Sequence, residues 1–212
     1  MPEMQDFGLY LIITKPKLSY GEIARIAVKH NIRYLQLREK HLSDRALLAA
    51  AREIKRITRN TTTQLVINDR PDIALLADAD CLHLGQDDLS IQDARKIVGE
   101  KMAIGLSTHS IRQAEKALQH NPAYIGFGPI YPTPTKANPD PPVGTDKIAE
   151  VVKMAAQKQI PVVAVGGIFP QHIYRILDAG AQNLCMVRYL MESTHTEERV
   201  MEISKSIQER KK

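Results

Sequence analysis

Charged residues of both signs stand where short apolar runs end. Arg38 and Lys40 follow Tyr34–Leu37, Asn68 and Asp69 follow Gln64–Ile67, and Asp88 comes soon after Cys81–Leu84. Lys136 lies in a proline-rich segment after Tyr124–Phe127. Three cations on two separate segments suit a multi-anionic phosphate. The two aspartates alone would repel such a ligand, and a hard divalent cation resolves that conflict. Magnesium takes one or two carboxylates plus substrate phosphate oxygens. No His or Cys cluster stands beside them, which disfavours zinc. The pattern points to a metal-bridged pyrophosphate rather than an acid–base pair. Gly166-Gly167 and Val187-Arg188, at the last two runs, form a second cup where backbone N–H groups can meet a phosphate. A diphosphate site facing a monophosphate site suits a condensation that expels pyrophosphate.

Something must bring these residues together. Eight runs rich in Val, Ile and Leu read as buried parallel strands: Leu9–Ile13, Tyr34–Leu37, Gln64–Ile67, Cys81–Leu84, Met102–Gly105, Tyr124–Phe127, Val162–Val165 and Asn183–Val187. Helical stretches lie between them, with legible starts. Ser43 precedes a segment running to about Ile57, Pro71 stands at a first helical position, and Ser90/Asp93 and Ser110/Gln113 have capping-box spacing. Pro170 opens a helix over Ile173–Ala179, Gly180 sits where a left-handed cap belongs, and a last helix runs from Thr196 to Gln208. Eight β units each followed by α predict a single (β/α)8 TIM barrel over residues 1–212, with an open doubly wound sheet as the competitor. A barrel works at the carboxyl ends of its strands, which is where the polar residues fall. Six prolines in Pro129–Pro142 mark a long irregular loop of the kind that is commonly functional.

Composition narrows the classes. Hydrophobic residues make up 43% and charged residues 25% of 212, ordinary globular usage that allows a sizeable core. The net charge of +5 has no aromatic residues interleaved with basic ones, so small phosphorylated substrates are expected and nucleic acid is not. No apolar stretch approaches a membrane span. Cys81 and Cys185 fall on runs four and eight, across the barrel from each other, so a disulfide is not expected. Free thiols and a polar, acidic start suggest a cytoplasmic setting. The sequence leaves the oligomeric state open.

Singly, these residues have ordinary explanations. Asn68 and Asp69 could cap a helix, Asp88 could be a turn carboxylate, and Arg38-Glu39-Lys40 could be a solvated cluster. Ser107 could bond local backbone, His109 reads as structural, and Gly166-Gly167 could serve a tight turn. Together they resist that account. Leu-Gln-Leu-Arg-Glu-Lys (35–40), Ile-Asn-Asp-Arg (67–70), His-Leu-Gly-Gln-Asp-Asp (83–88), Gly-Leu-Ser-Thr-His (105–109), Gly-Pro-Ile-Tyr-Pro-Thr-Pro-Thr-Lys (128–136) and Val-Gly-Gly-Ile (165–168) occur in one order. In this the chain resembles the thiamine phosphate synthase family.

The resemblance implies a magnesium-dependent transferase of thiamine biosynthesis. It would join 4-amino-2-methyl-5-(diphosphooxymethyl)pyrimidine to a thiazole phosphate, plain or carboxylated, releasing pyrophosphate (and CO2 from the carboxylated form). It implies that Gln36, Leu37, Arg38, Glu39, Lys40, Asn68, Ser107 and Lys136 hold the pyrimidine diphosphate, with Arg38, Ser107 and Lys136 catalytic. Asp69 and Asp88 would bind magnesium. Thr133, Pro134, Thr135, Gly167, Val187 and Arg188 would hold the thiazole phosphate. Pyrophosphate would leave first, giving a pyrimidine-methyl cation that the thiazole nitrogen captures. Arg188 departs from the serine common in the family. A thiazole tautomerase on the same barrel, which would have no need of the diphosphate cations, is the enzymatic alternative; a non-catalytic sensor of phosphorylated ligands is the other.

Overall fold

Apolar strands gather the chain around themselves. The computed structural model describes residues 6–134 and 140–210, so Thr135 and Lys136 lie outside the described residues. Its strands are β1 (Tyr10–Ile13), β2 (Tyr34–Leu37), β3 (Gln64–Asn68), β4 (Cys81–Leu84), β5 (Ala103–Thr108), β6 (Tyr124–Phe127), β7 (Val162–Ala164) and β8 (Asn183–Leu184). They form one 8-stranded sheet in sequential order, every pair parallel. A doubly wound sheet would reverse its strand order; this one does not. Closure is visible at the seam. Leu9 bridges to Leu184, and Leu184 N–H donates to Gly8 O at 3.0 Å. The buried Asn183 amide staples that seam, its Oδ1 accepting from Phe7 N–H (2.8 Å) and Gly8 N–H (3.0 Å) and its Nδ2 donating to Val162 O (3.2 Å).

Strand side chains alternate between two cores. Leu11, Ile13, Leu35, Leu37, Leu65 and Ile67 pack outward under the helices. Tyr10, Ile12, Tyr34, Val66, Cys81, Tyr124, Val163 and Cys185 fill the barrel interior. With both faces buried, the runs read as continuously apolar, and the period of two is hidden. The helices are α1 (Tyr20–Lys29), α2 (Asp44–Thr58), α3 (Pro71–Leu76), α4 (Ile91–Val98), α5 (Ile111–Leu118), α6 (Asp146–Ala156), α7 (Ile173–Asp178), α8 (Val187–Met191) and α9 (Thr196–Arg210). Serines 43, 90 and 110 accept from the N3 amide of α2, α4 and α5, as their spacing suggests. Ser19 and Glu22 form a full capping box at α1, a start not among those expected from sequence.

Most boundaries fall within a residue or two of expectation, and three of the differences bear on the site. β5 runs on to Thr108, because Leu106, Ser107 and Thr108 find register partners in Ile125, Gly126 and Phe127. Ser107 therefore sits on a strand rather than a loop. β8 ends at Leu184, and Val187 starts α8 instead of finishing a strand. Pro170 opens a 3-10 turn, Pro170–His172, before α7 begins at Ile173. Gly180 does take the left-handed conformation, φ 98°. Cys81 and Cys185 are buried and unbridged. Among the described residues, no helix is long and apolar enough to cross a membrane.

Candidate active site

A cavity of about 120 Å³ opens at the carboxyl ends of the strands. Gln36, Arg38, Asn68, Ser107, Thr133, Gly167, Val187 and Arg188 all line it, from six different βα connections or strand ends. Leu37, Glu39, Lys40, Asp69, Asp88 and Pro134 do not. The Leu37 side chain packs into the outer core, so it has only backbone to offer a ligand. Glu39 is buried with its carboxylate already engaged, accepting from Lys15 N–H (2.8 Å) and from the Tyr20 hydroxyl (3.2 Å). It shapes the loop after β1, and burial together with this carboxylate pushes the Tyr20 hydroxyl up to about 12. Pro134 is exposed.

The two aspartates meet beside the cavity. After β3 the backbone turns left-handed at Asp69 (φ 62°), a conformation Asp tolerates better than most residues. Asp69 N–H donates to His83 O at 2.8 Å, which locks the turn against β4. The N-cap of α3 is Arg70, with no side-chain cap bond, so neither Asn68 nor Asp69 caps that helix. Asp69 instead pairs with Lys40 at 2.8 Å and shares a side-chain hydrogen bond with Asp88. Asp88 Oδ2 also accepts from Gly85 N–H at 2.6 Å. Burial, then the Asp69 contact, pushes Asp88 up to about 6. Burial pushes Asp69 the same way, but hydrogen bonds with Asp88 and Lys40 and the charges of Lys40 and Arg38 leave it lowered. Among the described residues there is no cluster of three or more His, Cys, Asp or Glu that could hold a metal. A pair of contacting carboxylates fits magnesium, which needs only one or two protein oxygens.

The opposite side of the mouth is built from backbone. Gly166 (φ 96°) and Gly167 (φ 66°) let the loop after β7 pass beneath the loop after β6. A Cβ on Gly167 would stand 2.6 Å from Tyr131 O and 2.7 Å from Pro132 O. Arg188 spreads its guanidinium 5.3 Å above the Phe169 ring. His109 also lines the cavity, with its ring tied to the loop after β6. Its Nδ1 meets Gly128 O at 2.6 Å and its Nε2 lies 3.5 Å from Asp140.

The cavity floor carries polar residues not among the site residues expected from sequence. Tyr10, His83 and Tyr124 line it from below and link Gln36 to Ser107. The signal available was polar aromatic residues at inward-facing positions of otherwise aliphatic strands.

A closed parallel barrel with cations, paired carboxylates and a glycine cup at one mouth defines an enzyme for phosphorylated small molecules. The family model described as thiamine monophosphate synthase matches residues 9–190. The chain is 40% identical to a thiamine-phosphate synthase of Halalkalibacterium halodurans over 187 residues, 87% of each chain. It is 37% identical to that of Lawsonia intracellularis over 206 residues, 95% of this chain and 93% of the other. Among solved structures it is similar to a thiamine phosphate pyrophosphorylase from Pyrococcus furiosus, with a TM-score of 0.85 and 26% identity over 97% of this chain and 98% of that one. The chain belongs to the thiamine monophosphate synthase family.

Proposed function

We propose that the protein is a magnesium-dependent thiamine phosphate synthase, condensing an aminopyrimidine diphosphate with a thiazole phosphate and releasing pyrophosphate. The observation that carries this reading is the meeting of Arg38, Lys40, Asp69 and Asp88, distant in sequence, at the mouth whose floor holds Gln36 and Ser107. Gln36 and Asn68 carry amides that both donate and accept, matching an aminopyrimidine edge. Arg38, Lys40 and Lys136 hold the diphosphate. Asp69 and Asp88 would hold magnesium, which when bound offsets the charge developing on departing pyrophosphate. Ser107 lines the same cavity and would offer its hydroxyl to the pyrimidine substrate. Gly167 and Val187 would supply backbone N–H groups to the thiazole phosphate, with Thr133 and Arg188 lining the same cavity and Pro134 and Thr135 assigned to the phosphate by the family resemblance. Ile12, Val163 and Val165 line the cavity and exclude water, which protects a cationic carbon from hydrolysis. No protein nucleophile is required. The substrates are small and phosphorylated, nucleic acid has no part, and the buried thiols suit a cytoplasmic setting.

The test is direct. Protein, magnesium and both substrates should yield thiamine phosphate and pyrophosphate in equal amounts, and omission of either substrate should yield neither. Rearrangement of the thiazole phosphate alone would make this the tautomerase instead. Binding of both substrates without product would make it a sensor.

A further inference from the structure

Under the cavity, five side chains from five strands form one hydrogen-bonded chain. Gln36 Nε2 donates to Tyr10 Oη at 2.9 Å, and Tyr10 Oη meets Tyr124 Oη at 2.6 Å. Tyr124 Oη meets His83 Nδ1 at 3.0 Å, and His83 Nε2 meets Ser107 Oγ at 2.8 Å. Tyr10, Gln36 and Tyr124 are at most 2% exposed and His83 is 8% exposed, so bulk water does not interrupt the chain. Both of its ends line the same cavity.

We propose that this chain is a positioning relay, in which the Gln36 amide sets the direction of every proton and holds Ser107 with its own hydroxyl proton aimed into the cavity. The proposal rests on the reading of that cavity as an aminopyrimidine diphosphate site. Proton counting gives the direction. The Gln36 N–H2 group has only protons to offer, so Tyr10 accepts and its single proton goes to Tyr124. Tyr124 then donates to His83 Nδ1, a better acceptor than the neighbouring Cys81 thiol. A neutral ring accepting at Nδ1 carries its proton on Nε2 and donates to Ser107 Oγ. Ser107 therefore has its proton available for a substrate oxygen or ring nitrogen. In the reverse direction Tyr10 would have to donate to an amide nitrogen that cannot accept. A substrate amino group donating to Gln36 Oε1 holds the amide this way round, so recognition at β2 sets the donor at β5. Burial holds both tyrosines in the protonated form that the relay needs.

Two measurements test it. Long-range proton–nitrogen spectra of the substrate-free protein should show the His83 ring as the neutral Nε2–H tautomer. An Nδ1–H tautomer overturns the relay, and since this arm needs no turnover its result is independent of the reaction assigned above. In turnover, Tyr124→Phe should lower kcat about tenfold, the worth of one buried hydrogen bond, while the KM for thiazole phosphate stays within about twofold. In a Ser107→Ala background the same substitution should cost less than about twofold, because the relay then has nothing to position. Equal losses in both backgrounds would reduce Tyr124 to packing and sink the proposal. His83→Gln, which keeps a donor near the Nε2 position, should recover part of what His83→Leu loses; no recovery counts against it.

Discussion

The mouth and the floor of this barrel use burial in opposite ways. At the mouth, Asp69 and Asp88 are brought into contact although burial disfavours their charge, and Asp88 is pushed up to about 6. That strain in charge is what a cation relieves. On the floor, burial raises Tyr10, Tyr124, Cys81 and Cys185 alike, so every group stays neutral and the polar atoms satisfy one another. The mouth stores unmet electrostatic demand for a ligand to fill; the floor has almost none left. Function is expected to be sensitive to charge above and to hydrogen-bond continuity below.

The largest expected effect comes from the mouth. Asp69→Asn or Asp88→Asn should lower magnesium-dependent turnover by about 10²–10³-fold, the usual scale for losing one preorganised electrostatic contact. The fold should not suffer. Removing one of two contacting carboxylates relieves like-charge repulsion, so without magnesium the melting temperature of Asp88→Asn should hold or rise. Both variants turning over normally would remove the metal assignment. A fall in melting temperature with intact magnesium response would make the pair structural.

Next is the backbone side of the same mouth. Gly167→Ala puts a Cβ within 2.7 Å of two carbonyl oxygens at φ 66°. Strain of about 1–3 kcal/mol should appear in denaturant unfolding, together with a rise of about tenfold in the KM for thiazole phosphate. Gly99→Ala is the control. It also has positive φ (74°), but nothing lies within 4 Å of its Cβ position, so it should lose stability without the KM effect. If the two variants raise the KM equally, loop packing at Gly167 has no bearing on the phosphate.

Legibility follows the same division. The eight strands were readable because continuous Val, Ile and Leu runs mean burial on both faces, and Ser90, Ser110 and Pro71 announced their helices. The rim was readable because chemistry-bearing residues follow strand ends. Asp69 and Asp88 were placed together, but their direct contact depends on the left-handed turn at Asp69, which an Asn-Asp pair does not specify. Glu39 was assigned to substrate by its neighbours, yet its carboxylate is spent on Lys15 and Tyr20, contacts between loops that no local pattern encodes. The floor was missed because Tyr10, Tyr124 and His83 pass as strand residues. Their alignment arises only when β1, β4 and β6 face one another across a closed barrel.

The floor's neutrality can be measured through pH. Each of the four groups raised by burial has a folded pKa above its unfolded one, so the native state holds the proton more tightly. Its contribution to stability is full below the unfolded pKa, about 8.5 for Cys and 10 for Tyr, and is lost as pH climbs from there through the folded value. For Cys81 that upper limit is about 12. Each group should reduce stability by about 1.4 kcal/mol per pH unit inside its window. Tyr124→Phe should therefore flatten the decline above about pH 10.5 by roughly that slope. An unchanged slope in denaturant unfolding at stepped pH would mean that Tyr124 ionises in place, and the neutral floor would be lost as an explanation.

Arg188 gives the smallest expected effect and separates side chain from backbone at the mouth. Its guanidinium stacks on Phe169 at 5.3 Å, a half-buried contact worth about 0.5–2 kcal/mol, and Arg188→Ser removes it. The backbone N–H survives the substitution, and under the proposed function the glycine side of the site would bind through such groups rather than through charge. The KM for thiazole phosphate should therefore rise by less than about threefold, with kcat unchanged, since stacking acts on bound and transition states alike. A loss of more than about a hundredfold would make the guanidinium a direct phosphate ligand. The backbone side of the mouth would then depend on charge just as the aspartate side does, and the division between the two would fail at this residue.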